Sequence, residues 1–140
     1  MPDVVVTVPR AKWPEWIDEG DLPGDVESGE EYAFSLWGTP PDIEPNDRVY
    51  IVAHGRLRGY APLTRIIAGY RRGEFALCRS GHAVACTIDE PIVGFRGWRY
   101  RHWDRRAEKP FPNWRTAGTP LEESARIAQQ GLWLLSEPSL

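Results

Sequence analysis

Glycine and proline break this sequence into short segments, and their spacing constrains the fold more than any other feature. The 140 residues include 13 glycines and 13 prolines, a content that favours turn-rich β architecture over a helix bundle. A chain of this length can bury one hydrophobic core without help from disulfides or metal ions. We therefore expect a single domain that spans residues 1–140.

Most apolar segments between these breaks have the composition or the alternation of β-strands. The predicted strands cover residues 4–8, 32–37, 48–53, 57–67, 74–78 and 83–88, and tight turns join 48–53 to 57–67 and 74–78 to 83–88 as hairpins. Short helices are predicted over 10–20 and from Thr119 or Pro120 to Gly131, and the acidic segment 21–31 is predicted to be a loop. This order indicates an α+β fold, a small and partly closed mixed or antiparallel pseudo-β-barrel with short peripheral helices.

Charge is divided unevenly along the chain, although the formal net charge is only −3. Residues 11–47 hold eleven acidic side chains and one lysine, whereas residues 48–115 hold thirteen arginines and one lysine against five acids. A polyanion responds to the local field of a surface rather than to the net charge. The basic part is therefore compatible with a nucleic-acid ligand. The alternative is that the two parts neutralise each other across the fold.

Residues 95–115 interleave arginines with aromatic side chains in a pattern typical of nucleic-acid contact. Guanidinium groups bind phosphates and base edges, and exposed aromatic rings stack on bases. The predicted nucleic-acid-binding residues are Arg96, Trp98, Arg99, Arg101, Trp103, Arg105, Arg106 and Trp114. If 97–103 is a strand, its alternation separates Trp98 and Tyr100 from Arg99 and Arg101. The alternative is an internal cation–π ladder that attaches this segment to the barrel.

A second constellation is predicted from the first helix and the strand at 32–37. A helix after the first strand would pack beside the strand face that carries Ser35 and Trp37, and it would bring Trp13 and Trp16 with it. Aromatic walls and a hydroxyl group suit a pocket for a base. The alternative is that these tryptophans fill the core.

Enzymatic and metal-binding patterns are sparse in this sequence. It contains no Gly-rich phosphate loop, no Gly-x-Ser-x-Gly and no His-Glu-x-x-His. His102, within the basic aromatic segment, and Lys12 are the candidate catalytic residues. Cys78, His82 and Cys86 recur at four-residue intervals but lack a Cys-x2-Cys spacing. We therefore expect free buried cysteines, no metal ion and no cofactor.

The stretch EPNDRVYIVAHGRLRGYAPLTRI at 44–66 resembles the PUA-like superfamily, in particular its ASCH and EVE branches. In those families a Pro/Gly-Asp turn leads into a strand, a tight Gly turn follows, and the next strand carries Gly and a small or apolar residue, here Gly59-Tyr60-Ala61. The order of an N-terminal strand and a helix before the hairpins also matches. The resemblance covers about Val4 to Ile88 and does not include the Arg/Trp-rich segment.

The resemblance implies a pseudo-barrel that binds RNA, or DNA or RNA with modified bases, and holds a base in a pocket near the first helix. Some ASCH members are hydrolases or nucleases, and one amidohydrolase group uses Lys, Thr and Glu near the N-terminal helix. Lys12 matches the Lys, but no Thr or Glu of this sequence matches that pattern. The activity is therefore not transferred to this chain.

Together these observations favour a non-catalytic module that reads RNA or single-stranded or modified-base DNA. The alternatives are a small ASCH-like nuclease or nucleoside hydrolase, and a protein-interaction domain whose Arg/Trp surface docks an acidic partner. No signal sequence and no apolar run of about 18 residues is present, so we expect a soluble, cytoplasmic protein without membrane contact. The sequence leaves the oligomeric state open.

Overall fold

The computed structural model describes residues 2–21, 32–81, 83–112 and 114, and this part of the chain is mostly strand. The strands are β1 (Val4–Thr7), β2 (Tyr32–Trp37), β3 (Arg48–Ala53), β4 (Arg56–Arg71), β5 (Glu74–Arg79), β6 (Val84–Thr87), β7 (Trp98–Tyr100) and β8 (Lys109–Pro110). A 3-10 turn at Arg10–Lys12 leads into the helix α1 (Trp13–Asp21), and a second one covers Arg105–Ala107. No helix among the described residues is long and apolar enough to span a membrane.

The strands form one curled sheet with the order β2-β5-β4-β3-β1-β7, and β6 adds to it by pairing with β4 and β8. β1 is an interior strand next to the edge strand β7, and it runs parallel to β3 and antiparallel to β7. Its β-branched residues suit such a position because they pack well on a pleated surface. Val4 and Val6 face one apolar cluster and Val5 faces another, so this strand is buried on both faces.

The long strand β4 gives the sheet its curvature. Its first half pairs with β3 and β6, and its second half pairs with β5. The register shifts between Leu63 and Arg65, where the ladder passes to β5, and irregularities of this kind bend a strand and increase its twist. The sheet therefore curls into a half-barrel with one short helix, which is compatible with the predicted small α+β barrel-like fold.

Two apolar clusters pack on opposite sides of this sheet. The larger fills the concave side, where Trp13 and Trp16 of α1 contact the inward side chains of β1, β3 and β5. The smaller lies on the other side and includes Tyr50, Cys86 and Trp103. The segment after β6 therefore wraps around the back of the sheet and places β7 beside β1.

One predicted hairpin is wrong. The segments 74–78 and 83–88 were expected to pair with each other, but β5 pairs with β2 and β4, and β6 pairs with the first half of β4. Gly59 permits this pairing, because a Cβ at this position would lie 2.5 Å from the carbonyl oxygen of Val84. The predicted hairpin β3–β4 is confirmed, with His54 and Gly55 in the left-handed turn region that such hairpins use. Of the predicted loop at 21–31, Asp21 is instead the last residue of α1, and residues 22–31 lie outside the described residues, as does the predicted final helix.

Candidate nucleic-acid interface

Trp98 and Tyr100 point to one side of β7 and contact the turn-rich segment 38–47. The indole N–H of Trp98 donates to the carbonyl oxygen of Thr39 at 3.2 Å, and the backbone N–H of Asp42 donates to the Tyr100 hydroxyl at 3.1 Å. The two rings meet edge to face at 4.9 Å. This part of the acidic third of the chain therefore lies directly against the Arg/Trp-rich segment.

A buried carboxylate, that of Asp3, holds two of the predicted binding arginines. Arg105 donates to it through Nη2 at 2.8 Å and Nε at 3.1 Å, and Arg101 donates through Nε at 3.0 Å. The backbone N–H of Arg48 adds a fourth donor at 2.9 Å. Burial alone would raise the pKa of Asp3, but the hydrogen bonds from Arg48, Arg105 and Arg101 outweigh it, so its pKa lies below the ordinary value. The carboxylate is therefore ionised at neutral pH and fixes both guanidinium groups.

A second carboxylate, that of Glu108, binds the Arg/Trp-rich segment to the side of the sheet that carries Tyr50. Its oxygens accept the Tyr50 hydroxyl at 2.6 Å, the Trp103 indole N–H at 2.9 Å and Nη1 of Arg48 at 3.1 Å. Burial, followed by the hydrogen bond to Glu108, raises the pKa of Tyr50 above its ordinary value. Trp103 is buried and meets the Tyr50 ring at 5.1 Å. Its ring is therefore part of the internal packing and is not presented to solvent.

Three of the predicted arginines do lie at the surface. Arg96 is exposed, Arg99 is exposed with its guanidinium 4.2 Å above the Phe95 ring, and the Arg106 side chain is 94% exposed with Asp104 at 3.9 Å. Asp104 also accepts the Arg106 backbone N–H and so caps the short 3-10 turn. These three residues, which we call the arginine surface, carry positive charge that solvent and ligands can reach.

An open cavity lies between the arginines bound to Asp3 and the turn that precedes β3. Its volume is about 470 Å³, and its lining is Pro45, Asn46, Asp47, Arg101 and Arg105. The side chains of Arg101 and Arg105 are 18% and 44% exposed, so they reach the cavity while they bind Asp3. The turn itself is held by Asp47, whose carboxylate accepts the Glu44 N–H at 2.8 Å.

The four residues predicted to form a base pocket are not brought together. Trp13 and Trp16 are buried in the concave cluster, whereas Ser35 is exposed and Trp37 is 71% exposed on the outer face of β2. The reason is that α1 packs on the side of β2 that carries Phe34 and Leu36, opposite to the side expected. Trp114 joins the concave cluster too and meets the Trp16 ring at 5.8 Å, away from the arginine surface.

The candidate catalytic residues lie on exposed sites with acidic partners. His102 contacts Glu90 at 2.9 Å, and Lys12 contacts Glu15 at 3.5 Å within the first turns of the helical segment. Each side chain is about 60% exposed, and the two are in different parts of the fold. Neither therefore lies in an enclosed site, and the two cannot act on one substrate together.

The two cysteines are buried in strands that do not pair with each other. Cys78 belongs to β5 and Cys86 to β6, and neither forms a disulfide bond. Burial, and then the nearby Glu108, raises the pKa of Cys86 to about 12. Among the described residues no three His, Cys, Asp or Glu side chains cluster as a metal site would require.

Several residues that organise this region carry no signal in the sequence. Asp3 and Glu108 are single acids beside a strand and a short turn, and only the tertiary fold shows that they accept several hydrogen bonds each. Two further arginines, Arg58 and Arg79, are completely buried and stack on aromatic rings inside the half-barrel. The predicted internal cation–π packing therefore exists, but other arginines form it. Searches of family models, curated proteins and solved structures find no match to this chain.

Proposed function

We propose that this protein is a nucleic-acid-binding module that contacts RNA or single-stranded or modified-base DNA through the arginine surface. The observation that supports the proposal is that Arg96, Arg99 and Arg106 are exposed, while the Arg/Trp-rich segment that carries them is held by hydrogen bonds to internal carboxylates. The buried Asp3 and Glu108 hold that segment through other side chains. Its exposed guanidinium groups thus remain available for phosphate oxygens.

Base contacts would come from two aromatic rings on the other side of the edge strand β7. Tyr100 is 46% exposed, and Trp98 beside it is partly exposed. Stacking on such rings contributes about 1–3 kcal/mol per base and tolerates any base. The proposal therefore gives Trp103 and Trp114, which are buried, no contact with the ligand. Trp103 supports the Arg/Trp-rich segment through Glu108, and Trp114 packs in the concave cluster.

The PUA-like resemblance belongs to the same proposal. A curled, mostly β sheet with one short helix is compatible with it, and the matched stretch forms β3, the tight turn and the first half of β4. In this chain the proposed phosphate contacts lie outside the matched stretch. They come from residues after β6, so they would be an addition to the shared barrel.

Binding of labelled single strands at two salt concentrations tests the proposal. We expect measurable affinity at about 50 mM salt that falls as salt rises, because bound arginines release counterions from the strand. Replacing Arg96, Arg99 and Arg106 by Gln should reduce the salt slope by about 2, since each phosphate contact on a single strand contributes about 0.7.

The matched control replaces three exposed cations elsewhere, Arg10, Lys12 and Arg72, by Gln. The net charge then changes equally, but we expect affinity and salt slope to stay close to those of the unchanged protein. Absent binding at low salt, or an equal loss in both triple variants, would show that the arginine surface is not a nucleic-acid interface. In the first case an acidic protein partner becomes the better explanation of the surface.

A further inference from the structure

We infer that the cavity between Asn46 and the pair Arg101 and Arg105 is a discrete site for one phosphodiester group of the bound strand. The inference rests on the proposed function and deepens it, because it assigns one phosphate to a defined position instead of to a charged surface. The site is formed by two parts of the chain, the turn at 45–47 and the segment that follows β7. Neither part forms the cavity by itself.

The two guanidinium groups keep donors available for a ligand. Arg105 uses Nε and Nη2 for Asp3, and Arg101 uses Nε for Asp3 and Nη1 for the carbonyl oxygen of Trp103. Among the described residues, Nη1 of Arg105 and Nη2 of Arg101 have no hydrogen-bond partner. Both arginines line the cavity. A tetrahedral phosphate offers several oxygens, so it can accept from two separate guanidinium groups at once.

The arginines are held in place before any ligand arrives. Asp3 has no exposed side-chain surface and binds both of them, and its hydrogen bonds fix the planes of the two guanidinium groups. Long side chains ordinarily lose rotamer freedom when they bind, and this loss weakens binding. Here most of that loss occurs during folding, so a weakly charged ligand group can still bind well.

The charges around the cavity decide which kind of phosphate suits it. Arg101 and Arg105 are opposed by Asp3 behind them and by Asp47 in the turn, so the four groups together carry almost no net charge. A dianionic phosphate monoester gains little from such a site, whereas a singly charged diester needs only the directed hydrogen bonds. The internal phosphate of a strand is therefore a better ligand than a free or terminal phosphate.

Asn46 supplies a test that leaves the fold intact. It is exposed and has φ of 75°, a conformation that Asn, Asp and Gly adopt more readily than other residues. Asn46→Asp places a carboxylate at the cavity wall, and Asn46→Gly removes the side chain with the same backbone. We expect the affinity for a short labelled strand to fall about tenfold in the first variant. It should change less than about threefold in the second.

A dinucleoside monophosphate, which contains one diester and no terminal phosphate, tests the preference directly. In the unchanged protein it should shift the side-chain Nε–H NMR signals of Arg101 and Arg105 saturably, and inorganic phosphate should shift them only at much higher concentration. Equal affinities for the two ligands, or no shift with the diester, would overturn the inference.

The inference and the proposed function fail in different ways. If strands bind with salt dependence but Asn46→Asp and Asn46→Gly behave alike, the cavity site is wrong and the arginine surface stands. If strands do not bind but the diester shifts both arginine signals, the proposed strand-binding surface is wrong. In that case the cavity is the site of a small diester ligand.

Discussion

The carboxylate of Asp3 accepts three hydrogen bonds from the guanidinium group of Arg105, which lies 102 residues later in the chain. One end of the contact precedes the interior strand β1, and the other follows β7 beside the surface that we propose to bind nucleic acid. Asp3 is buried, whereas the Arg105 side chain is partly exposed, so the contact connects the interior of the protein to its surface. Stability and ligand binding are therefore coupled through a single carboxylate.

Asp3→Asn should lower the free energy of unfolding by about 3 kcal/mol at neutral pH, since it removes the buried charge that the partly exposed Arg101 and Arg105 bind. The pKa of Asp3 is lower in the folded protein than the ordinary value of 3.8. The carboxylate thus stabilises the fold above that pH, and its contribution is lost as the pH falls through the folded pKa. Urea unfolding of the variant and of the unchanged protein should show a difference in the free energy of unfolding that is largest near pH 7 and becomes smaller below about pH 4.

Asp89→Asn is the matched control for this titration. Asp89 also pairs with a cation, Lys109, but the pair lies in solvent, where ion pairs contribute little. Its unfolding midpoint should stay unchanged at neutral pH. A constant difference between Asp3→Asn and the unchanged protein from pH 7 to pH 3 would contradict the assigned role of Asp3.

Tyr50→Phe should lower the free energy of unfolding by about 1–2 kcal/mol. The change removes the hydroxyl that donates to Glu108 at 2.6 Å, so this carboxylate has one donor fewer. Tyr60→Phe is the control. Its ring packs beside Tyr50 and under Arg48, but its hydroxyl makes no hydrogen bond among the described residues. Chemical denaturation followed by tryptophan fluorescence measures the unfolding free energy of both variants. Equal losses would show that the hydrogen bond from Tyr50 to Glu108 does not stabilise the fold.

Gly59→Ala should destabilise the fold by about 2–3 kcal/mol, because the added methyl group would meet the Val84 carbonyl oxygen at 2.5 Å and push β4 and β6 apart. At Gly94 the added methyl group would contact only the Thr7 side chain at 3.2 Å, so Gly94→Ala should cost less than about 1 kcal/mol. Thermal unfolding distinguishes the two. If Gly59→Ala unfolds at the same temperature as the parent, β6 does not pair where the structure has it.

Trp16→Ala should cost about 3–5 kcal/mol, since Trp16 is buried in the concave cluster. Trp37→Ala should cost less than about 1 kcal/mol, since most of the Trp37 ring is exposed and rests on Gly73. Both changes remove the same side chain, so unfolding free energies compare the two environments directly. Similar losses of unfolding free energy in the two variants would contradict the different burial of the two tryptophans.

The sequence predicted the strands that depend on local patterns. The valine run of β1, the alternation of β2 and the β3–β4 turn at His54-Gly55 all involve neighbours in sequence, and all are confirmed. The pairing of β6 could not be predicted in this way, because it depends on the close approach of two backbones at Gly59. Proximity along the chain favoured the wrong partner, β5.

The sequence predicted which residue types form the candidate site, but it did not predict which of them are exposed and which bind internal groups. Alternation correctly separated Trp98 and Tyr100 from Arg99, but it could not distinguish Arg101, which binds an internal acid, from Arg99, which is exposed. That distinction depends on Asp3, which is remote in sequence. Long-range electrostatic pairs leave no periodic trace, so only the folded structure reveals them.

The position of β1 between two partners that follow it in sequence has a consequence for folding during synthesis. Its partners are β3 and β7, so β1 cannot complete its hydrogen bonds until residue 100 has been translated. Such distant pairing slows folding, because loop closure must precede the contacts that reward it. Until residue 100 has been made, the nascent chain carries an incompletely paired, valine-rich strand, and unpaired strand edges of this kind promote aggregation.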